Sequence, residues 1–278
     1  MRRDLLPMVQ EALRDRYTVE REMARGGAGR VFFARTLDGQ AVALKVLHPE
    51  LVVTATADRF LREIRTLSRL EHPHVARLLD YGERDWLVYL AMSYIEGPTL
   101  KEHIARSGRA TVDDVVRIAR DLLDALAYAH NHNVVHRDVK PDNIVLSSSG
   151  AMLLDFGIAR AIEAAGDEKL TKSGFTVGTS TYMSPEQVIA IRDLDHRSDI
   201  YSLGCVLFEA LTGRPPFVHR SEAVVMQLQQ TAEAPSVAEI RPDTPPALAV
   251  AIQRALAKDR ERRWNSAAEM RAQLDSLP

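Results

Sequence analysis

The chain has 278 residues, of which 46% are hydrophobic, so it is long enough for one large globular domain or for two lobes that share an interface. Its 36 Lys and Arg residues are balanced by 38 Asp and Glu residues, and the formal charge of −2 provides no global positive field that would attract nucleic acid or an anionic membrane. A single cysteine, Cys205, excludes an intramolecular disulfide framework and suits a reducing cytoplasm, where we expect the protein to be located.

The amino-terminal stretch MRRDLLPMVQ carries the arginines of a signal peptide, but its apolar part is short and interrupted by proline. No small-residue cleavage site follows, so we expect the stretch to belong to the mature protein. No window of the sequence reaches the roughly 18 uncharged residues that a membrane helix needs, and no membrane span is predicted in this chain.

Short runs rich in β-branched and aromatic residues come next: YTVEREMA, RVFFAR and QAVALKVL. The stretch TLDGQ between the last two runs carries the Asp-Gly signal of a tight hairpin, so we predict an antiparallel sheet. A helical stretch, ADRFLREIRTLSRL, interrupts the sheet, with Phe60, Ile64 and Leu67 on one face at helical spacing. Glu63 falls on that same face.

After residue 97 the pattern is mainly helical. The stretch DDVVRIARDLLDALAYAH is amphipathic, whereas SDIYSLGCVLFEALTG is apolar nearly all round. We predict that the second of these helices is buried, with Ser198 as its N-cap and Gly213 as its C-cap.

The glycines of MARGGAGRVFFA lie between the first two predicted strands. Gly26, Gly27 and Gly29 form a turn whose bare N–H groups could approach a phosphate. A glycine-rich hairpin without a ligand explains this stretch equally well when it is taken alone. It is not a Walker loop, because no Gly-Lys-Ser/Thr follows and the next element is a strand.

Lys45 lies at the centre of the apolar strand VALKVL, where burial of an unpaired ammonium group is costly. Glu63 lies on the inward face of its helix, where burial of an unpaired carboxylate is likewise costly. We predict that the two side chains pair, which leaves the amine to hold the phosphates of a nucleotide. The alternative for either residue alone is a side chain that reaches into solvent.

Four polar residues follow in VVHRDVKPDN and LLDFGIAR: Asp138, Lys140, Asn143 and Asp155. Carboxylate and amide oxygens suit a hard cation such as Mg²⁺, which usually bridges substrate phosphates. These residues favour phosphoryl transfer, in which the protein aligns an acceptor oxygen and neutralises charge on the transferring group. We predict that Asp138 accepts the proton of the acceptor, that Lys140 holds the γ-phosphate, and that Asn143 and Asp155 hold the metal.

Taken in order, these motifs resemble a eukaryotic-type (Hanks-type) protein kinase, most similar to the bacterial serine/threonine kinases, from about Tyr17 to about Leu277. The stretch ARGGAGRV resembles the glycine-rich loop, Lys45 the phosphate-binding lysine, and Glu63 its helix partner. His136–Arg137–Asp138 resemble the catalytic loop, and Asn143 lies at the position of the second metal ligand. Asp155–Phe156–Gly157 resemble the metal-binding triplet, and Ser184–Pro185–Glu186 lie where the family has Ala-Pro-Glu.

The resemblance implies an α+β, bilobal kinase-like fold. Residues 17–95 would form an N-lobe with an antiparallel sheet and one main helix, and residues 96–277 a mainly α-helical C-lobe. Residues 1–16 would precede them as an N-terminal extension, which we expect to pack on the N-lobe; a homodimer through the N-lobe is the alternative. Four residues lie roughly along one helical face of the extension: Leu5, Leu6, Val9 and Leu13.

The resemblance also implies the ligands, namely ATP, Mg²⁺ with Mn²⁺ as a substitute, and Ser or Thr hydroxyls of proteins. The implied nucleotide-binding residues are Ala24, Gly26, Gly27, Gly29, Val31, Ala43, Lys45, Met92, Ser93, Ile95 and Val145. Ala24 replaces the first glycine of the loop, and Ser93 replaces a common glutamate. We expect a modest effect on nucleotide affinity, because a methyl group is tolerated at position 24 if its φ is negative.

An activation segment is implied between Asp155 and Glu186. Thr171 and Ser173, and after them Thr176, are the predicted autophosphorylation sites, and a phosphate there could pair with Arg137 and order the segment. Alternatively, these hydroxyls merely keep a loop soluble. The family implies three further contacts: Thr179 with the catalytic aspartate, Glu186 with Arg263, and Asp199 with the backbone of the catalytic loop.

Two other functions fit part of the sequence. A pseudokinase would normally lack Lys45, Asp138, Asn143 or Asp155, and none of them is lost. A small-molecule kinase, such as an aminoglycoside phosphotransferase, would lack the activation segment and the stretch GTSTYMSPEQ. A zinc site at the histidines is disfavoured, because neither cysteines nor a third ligand occur at suitable spacing.

Overall fold

The computed structural model of the protein describes residues 5–26, 29–47, 64–65, 67–84, 87–156, 180–191, 193–275 and 277. Within these residues the chain divides into two compact units. The first contains the described residues up to 71 together with 76–95, and the second contains 72–75 together with the described residues from 96 onward. Antiparallel strands dominate the first unit and helices dominate the second, which confirms the predicted α+β class.

The first unit is built on a five-stranded antiparallel sheet with the order β1-β2-β3-β5-β4. Its strands are β1 (Tyr17–Gly26), β2 (Gly29–Thr36), β3 (Ala41–Leu47), β4 (Leu78–Arg84) and β5 (Leu87–Ser93). The predicted hairpin joins β2 to β3: Gly39 N donates to Thr36 O, and Thr36 N donates to Gln40 O, both at 2.9 Å. Gly39 has φ +90°, which explains the glycine of the Asp-Gly pair.

A helix, α1 (Leu6–Leu13), covers one face of this sheet. Val9 and Leu13 are 0% exposed and pack against sheet residues that include Phe32 and Leu44. The chain after α1 is tied to β4 because Asp80 accepts hydrogen bonds from Arg16 (2.8 Å) and from the Tyr17 hydroxyl (2.7 Å). The apolar face of the N-terminal helix therefore packs on the sheet of its own chain.

The opposite face of the sheet carries a second apolar cluster, which includes Leu47, Leu90 and Met92. Ile64, which is 0% exposed, and Leu67 pack against it, as predicted for the helical stretch between β3 and β4. Phe60 and Glu63 of that stretch lie outside the described residues.

As far as it is described, the second unit consists mainly of helices and contains one hairpin, formed by β6 (Ile144–Ser147) and β7 (Gly150–Leu153). Its helices are α2 (Leu100–Ser107), α3 (Val112–Asn131), α4 (Pro185–Val188), α5 (Arg197–Thr212), α6 (Glu222–Thr231), α7 (Val237–Ile240), α8 (Pro246–Ala255) and α9 (Ala267–Gln273). Within the part of the chain that the structure describes, no helix has both the length and the apolar composition that a membrane crossing requires.

Helix α5 is buried along nearly its whole length, as its apolar composition predicted. The predicted N-cap, however, is wrong. The helix begins at Arg197, so Ser198 already has helical geometry and its hydroxyl donates back to Asp195 O at 2.9 Å. The predicted C-cap is confirmed, because Gly213 is left-handed (φ +79°) and its N–H donates to Glu209 O at 2.7 Å.

Candidate active site

The carboxylate of Asp199, at the start of α5, organises the loop that leads to Asp138. Its Oδ2 accepts from His136 N and its Oδ1 from Arg137 N, each at 2.8 Å, which confirms the backbone-capping role expected for this residue. His130 Nε2 lies 2.9 Å from Oδ2 as a third partner. Burial raises the pKa of Asp199, but the hydrogen bond and charge of His130 outweigh it and lower the pKa overall. Asp199 therefore stays an acceptor for both main-chain N–H groups.

The residue before Asp138 has a strained backbone. Arg137 has φ +67°, a left-handed conformation that is costly for a long side chain unless its surroundings impose it. Asp199 holds its N–H group, and Gln187 Nε2, from α4, donates to its carbonyl at 2.8 Å. These two contacts fix the peptide units on both sides of Arg137. They thereby orient the backbone that carries Asp138.

His136 connects Asp138 to the strand that precedes Asp155. The side chain of His136 is 0% exposed, and its Nε2 donates to Leu154 O at 2.7 Å. Its Nδ1 is then free of a proton and accepts from Asp138 N at 3.1 Å. The ring also meets Phe156 edge-on, with 4.6 Å between the ring centroids. Both ring nitrogens thus bind protein groups.

The two carboxylate oxygens of Asp138 differ in their partners. Oδ2 accepts from Lys140 Nζ at 2.6 Å and from Asn143 Nδ2 at 3.0 Å. Oδ1 is buried and has no hydrogen-bond partner among the residues that the structure describes. A buried acceptor without a donor is unfavourable. The arrangement therefore fixes the carboxylate through one oxygen and leaves the other, within the described residues, without a hydrogen-bond donor.

The β6–β7 hairpin brings Asn143 and Asp155 to the same end. Ile144 pairs with Leu153, and Leu154 N donates to Asn143 O at 2.8 Å. The Nδ2 group of Asn143 also donates to Asp138 O at 2.8 Å, so the amide oxygen Oδ1 is the atom that remains for a ligand. An amide oxygen and a carboxylate at one end of a hairpin fit a hard divalent cation.

In the first unit, the sheet register groups several of the predicted nucleotide-binding residues. Val31 lies opposite both Ala24 and Lys45, and Ala43 lies opposite Met92, so that these five residues share one face. The side chain of Lys45 is buried, with 8% of the residue exposed. The φ of Ala24 is not positive, which meets the condition stated for an alanine at this position.

The remaining predicted site residues lie in several different elements. Gly29 has a packing reason to be glycine, because a Cβ there would lie 2.1 Å from Val46 O. Ser93 ends β5, Ile95 follows two residues later, and Val145 belongs to β6 of the second unit. Seven predicted residues lie outside the described part of the chain: Gly27, Glu63, Gly157, Thr171, Ser173, Thr176 and Thr179.

The sequence profile of the protein kinase domain family matches residues 17–274. The chain belongs to this family. The serine/threonine-protein kinase PknB of Mycolicibacterium smegmatis is 39% identical over 270 residues, which cover 94% of this chain and 43% of that protein. The serine/threonine-protein kinase pkn3 of Myxococcus xanthus is 39% identical over 273 residues, covering 94% and 50%. The probable serine/threonine-protein kinase PknB of Lactococcus lactis is 36% identical over 261 residues, covering 92% and 41%.

The chain thus spans about half the length, or less, of the curated relatives that it matches. The predicted resemblance to the bacterial members of the family is confirmed, and so is the kinase-like fold class. Members of this family use ATP and a divalent metal ion.

The kinase domain also contains the predicted buried ion pair. Arg263, 0% exposed, donates to both oxygens of Glu186, at 2.6 and 2.8 Å. It donates as well to Ala257 O at 2.8 Å and to Lys258 O at 3.0 Å. Because Glu186 belongs to α4, the pair anchors the helix that carries Gln187 to the catalytic loop.

Sequence reasoning missed two residues of the kinase domain that hold the catalytic loop, His130 and Gln187. His130, in the last turn of α3, contacts Asp199. Gln187 did have a local signal: Ser184 and Gln187 form a capping box, whose Ser-x-x-Gln spacing is visible in the sequence. That signal predicts the start of α4 but does not predict the contact with Arg137.

Proposed function

We propose that this domain is an active serine/threonine protein kinase, which transfers the γ-phosphate of ATP to Ser and Thr hydroxyls of proteins, including its own. The observation that carries the proposal is the buried Oδ1 of Asp138, which has no hydrogen-bond partner within the described part of the chain, beside Oδ2, which accepts two hydrogen bonds. Because a pseudokinase has no need of an acceptor held ready in this way, the geometry favours turnover over nucleotide binding alone.

In the proposed reaction, the acceptor hydroxyl gives its proton to Asp138 Oδ1 while its oxygen forms a bond to the γ-phosphorus. The bond from that phosphorus to the β–γ bridging oxygen breaks, and ADP leaves with the electron pair. Lys140, 2.6 Å from Asp138 Oδ2, keeps the carboxylate oriented and places its ammonium group beside the transferring phosphoryl group.

We propose Asn143 Oδ1 and the carboxylate of Asp155 as ligands of Mg²⁺, for which Mn²⁺ can substitute. When bound, the metal neutralises charge on the phosphates. For ATP we propose Lys45, paired with Glu63, together with the glycine-rich loop, the face that Val31 and Ala43 share, the segment Met92–Ile95, and Val145.

The remaining proposals concern the regulation, the location and the oligomeric state of the protein. We propose autophosphorylation at Thr171, Ser173 or Thr176, with Arg137 as the partner of the phosphate. A cytoplasmic location is proposed from the single cysteine. A homodimer through the N-lobe would have to use a surface other than the apolar face of α1, since Val9 and Leu13 are already buried against the sheet.

A transfer assay tests the function. The purified chain is incubated with γ-labelled ATP and Mg²⁺, in one series with a generic protein acceptor and in another with an aminoglycoside, and the products are analysed for phosphoamino acids. We expect phosphoserine and phosphothreonine in the acceptor and in the chain itself. Label in the aminoglycoside alone would instead support a small-molecule kinase, and nucleotide binding without any transfer would support a pseudokinase.

A further inference from the structure

A turn, Ser180–Tyr182, is held by side chains of α5 and α6 through its main chain. Gln229 Nε2, from α6, donates to Thr181 O at 2.5 Å and lies 3.5 Å from Ser180 O. Ser202 Oγ, from α5, donates to Tyr182 O at 2.7 Å. The side chain of Gln229 is 0% exposed. Bonds to carbonyl oxygens fix the position of the turn whatever side chains it carries.

The orientation of Gln229 is set by a chain of hydrogen bonds that starts at a cation. Lys258 Nζ donates to the Tyr201 hydroxyl at 2.9 Å, and an ammonium group can only donate. The oxygen of Tyr201 therefore accepts, and its own proton goes to Gln229 Oε1. With Oε1 used in this way, the amide nitrogen of Gln229 must face the carbonyls of the turn.

Lys258 remains a cation at neutral pH. Burial lowers the pKa of this amine to about 8, so most molecules keep the proton at pH 7. The ammonium group also lies 4.2 Å from the centroid of the Phe217 ring and donates to Leu228 O at 3.3 Å. The start of the hydrogen-bond chain is thus itself fixed in place.

The turn lies beside the catalytic loop. The Tyr182 hydroxyl donates to Glu209 Oε2 at 2.6 Å, and both side chains interact electrostatically with Asp142, which stands between Lys140 and Asn143. Further along, Gln187 bonds to Arg137 O at 2.8 Å. The turn and the residues that follow it are thus connected to the loop that carries Asp138.

We propose that Lys258, Tyr201 and Gln229 are positioning residues for the protein acceptor, because together they hold the turn on which the acceptor chain rests. The inference relies on the proposed kinase function and adds to it a set of residues that touch neither ATP nor the reacting atoms. Such residues should influence the KM for the protein acceptor and leave the KM for ATP unchanged.

The test compares Gln229→Leu with Gln230→Leu, its exposed neighbour on α6, in initial-rate assays at pH 7. We expect Gln229→Leu to raise the KM for a protein acceptor by about tenfold, because the turn loses the hydrogen bond that Gln229 donates to it. The KM for ATP should be unchanged. Gln230→Leu should resemble the wild type in both constants. Tyr201→Phe, which removes one hydroxyl from the middle of the chain, should repeat the effect of Gln229→Leu.

The possible outcomes test the proposed function and this inference separately. No transfer by the wild type would refute the proposed function itself. Transfer by the wild type with an acceptor KM in Gln229→Leu and Tyr201→Phe equal to that of Gln230→Leu would overturn this inference alone. An equal rise in the KM for ATP and for the acceptor would also overturn it, because it would indicate general support of the fold. If Gln229→Leu unfolds, the Tyr201→Phe result decides.

Discussion

Replacement of Asp138 by Asn is expected to lower kcat for phosphoryl transfer by about 10²–10⁴-fold, the usual contribution of a general base. An amide is nearly the same size as the carboxylate and can still accept from Lys140 and Asn143, so the loop should keep its structure. It cannot take a proton from the acceptor at the position of Oδ1. The rate is measured at saturating ATP, together with ATP affinity and thermal unfolding.

Asp113→Asn, the same change at an exposed position near the start of α3, is the matched control and should keep the wild-type rate. A folded Asp138→Asn protein that transfers phosphate as fast as this control would show that Asp138 is not the base. ATP affinity should be unaffected in both variants, since the proposed role of Asp138 concerns the acceptor.

The second large effect concerns stability. Arg263→Met is expected to lower the free energy of unfolding by about 3–5 kcal/mol, because it leaves the carboxylate of Glu186 buried without its partner. Glu186 is 6% exposed and Arg263 is 0% exposed, so water cannot easily replace the lost bonds. Denaturant unfolding measures the change, and the fluorescence of Trp264, 5% exposed and adjacent to Arg263, reports on the same region.

Two comparisons separate the ion pair from simple loss of packing. The double variant Arg263→Met with Glu186→Met removes both charges and should be more stable than Arg263→Met alone. Glu11→Gln breaks an exposed ion pair, in which the side chains of Arg14 and Glu11 are 73% and 72% exposed. This variant should change the free energy of unfolding by less than about 1 kcal/mol. An Arg263→Met protein as stable as Glu11→Gln would contradict a structural role for the pair.

Local patterns in the sequence predicted the elements that depend on local physics. The Asp-Gly hairpin between β2 and β3 follows from glycine's freedom to adopt φ +90°, and the burial of α5 follows from its composition. The N-cap predicted for α5 was wrong: Ser198 is a common capping residue, but it lies within the first turn of the helix, and its hydroxyl donates to Asp195 O, which precedes the helix.

Long-range contacts account for what the sequence could not predict. Gln187 meets Arg137 across 50 residues of chain, His130 meets Asp199 across 69, and Gln229 meets Thr181 across 48. None of these pairs has a periodicity or a turn signal, since each results from the packing of elements distant in sequence. Asp138 and Asn143, by contrast, lie five residues apart in one loop, and the motif placed them together.

The most direct test of the account is a crystal structure of the chain with Mn²⁺ and a non-hydrolysable ATP analogue. We predict an anomalous scattering peak for the metal between Asn143 and Asp155, with the terminal phosphate of the analogue on the side of Asp138. A nucleotide bound elsewhere, or a metal peak away from Asn143 and Asp155, would contradict it.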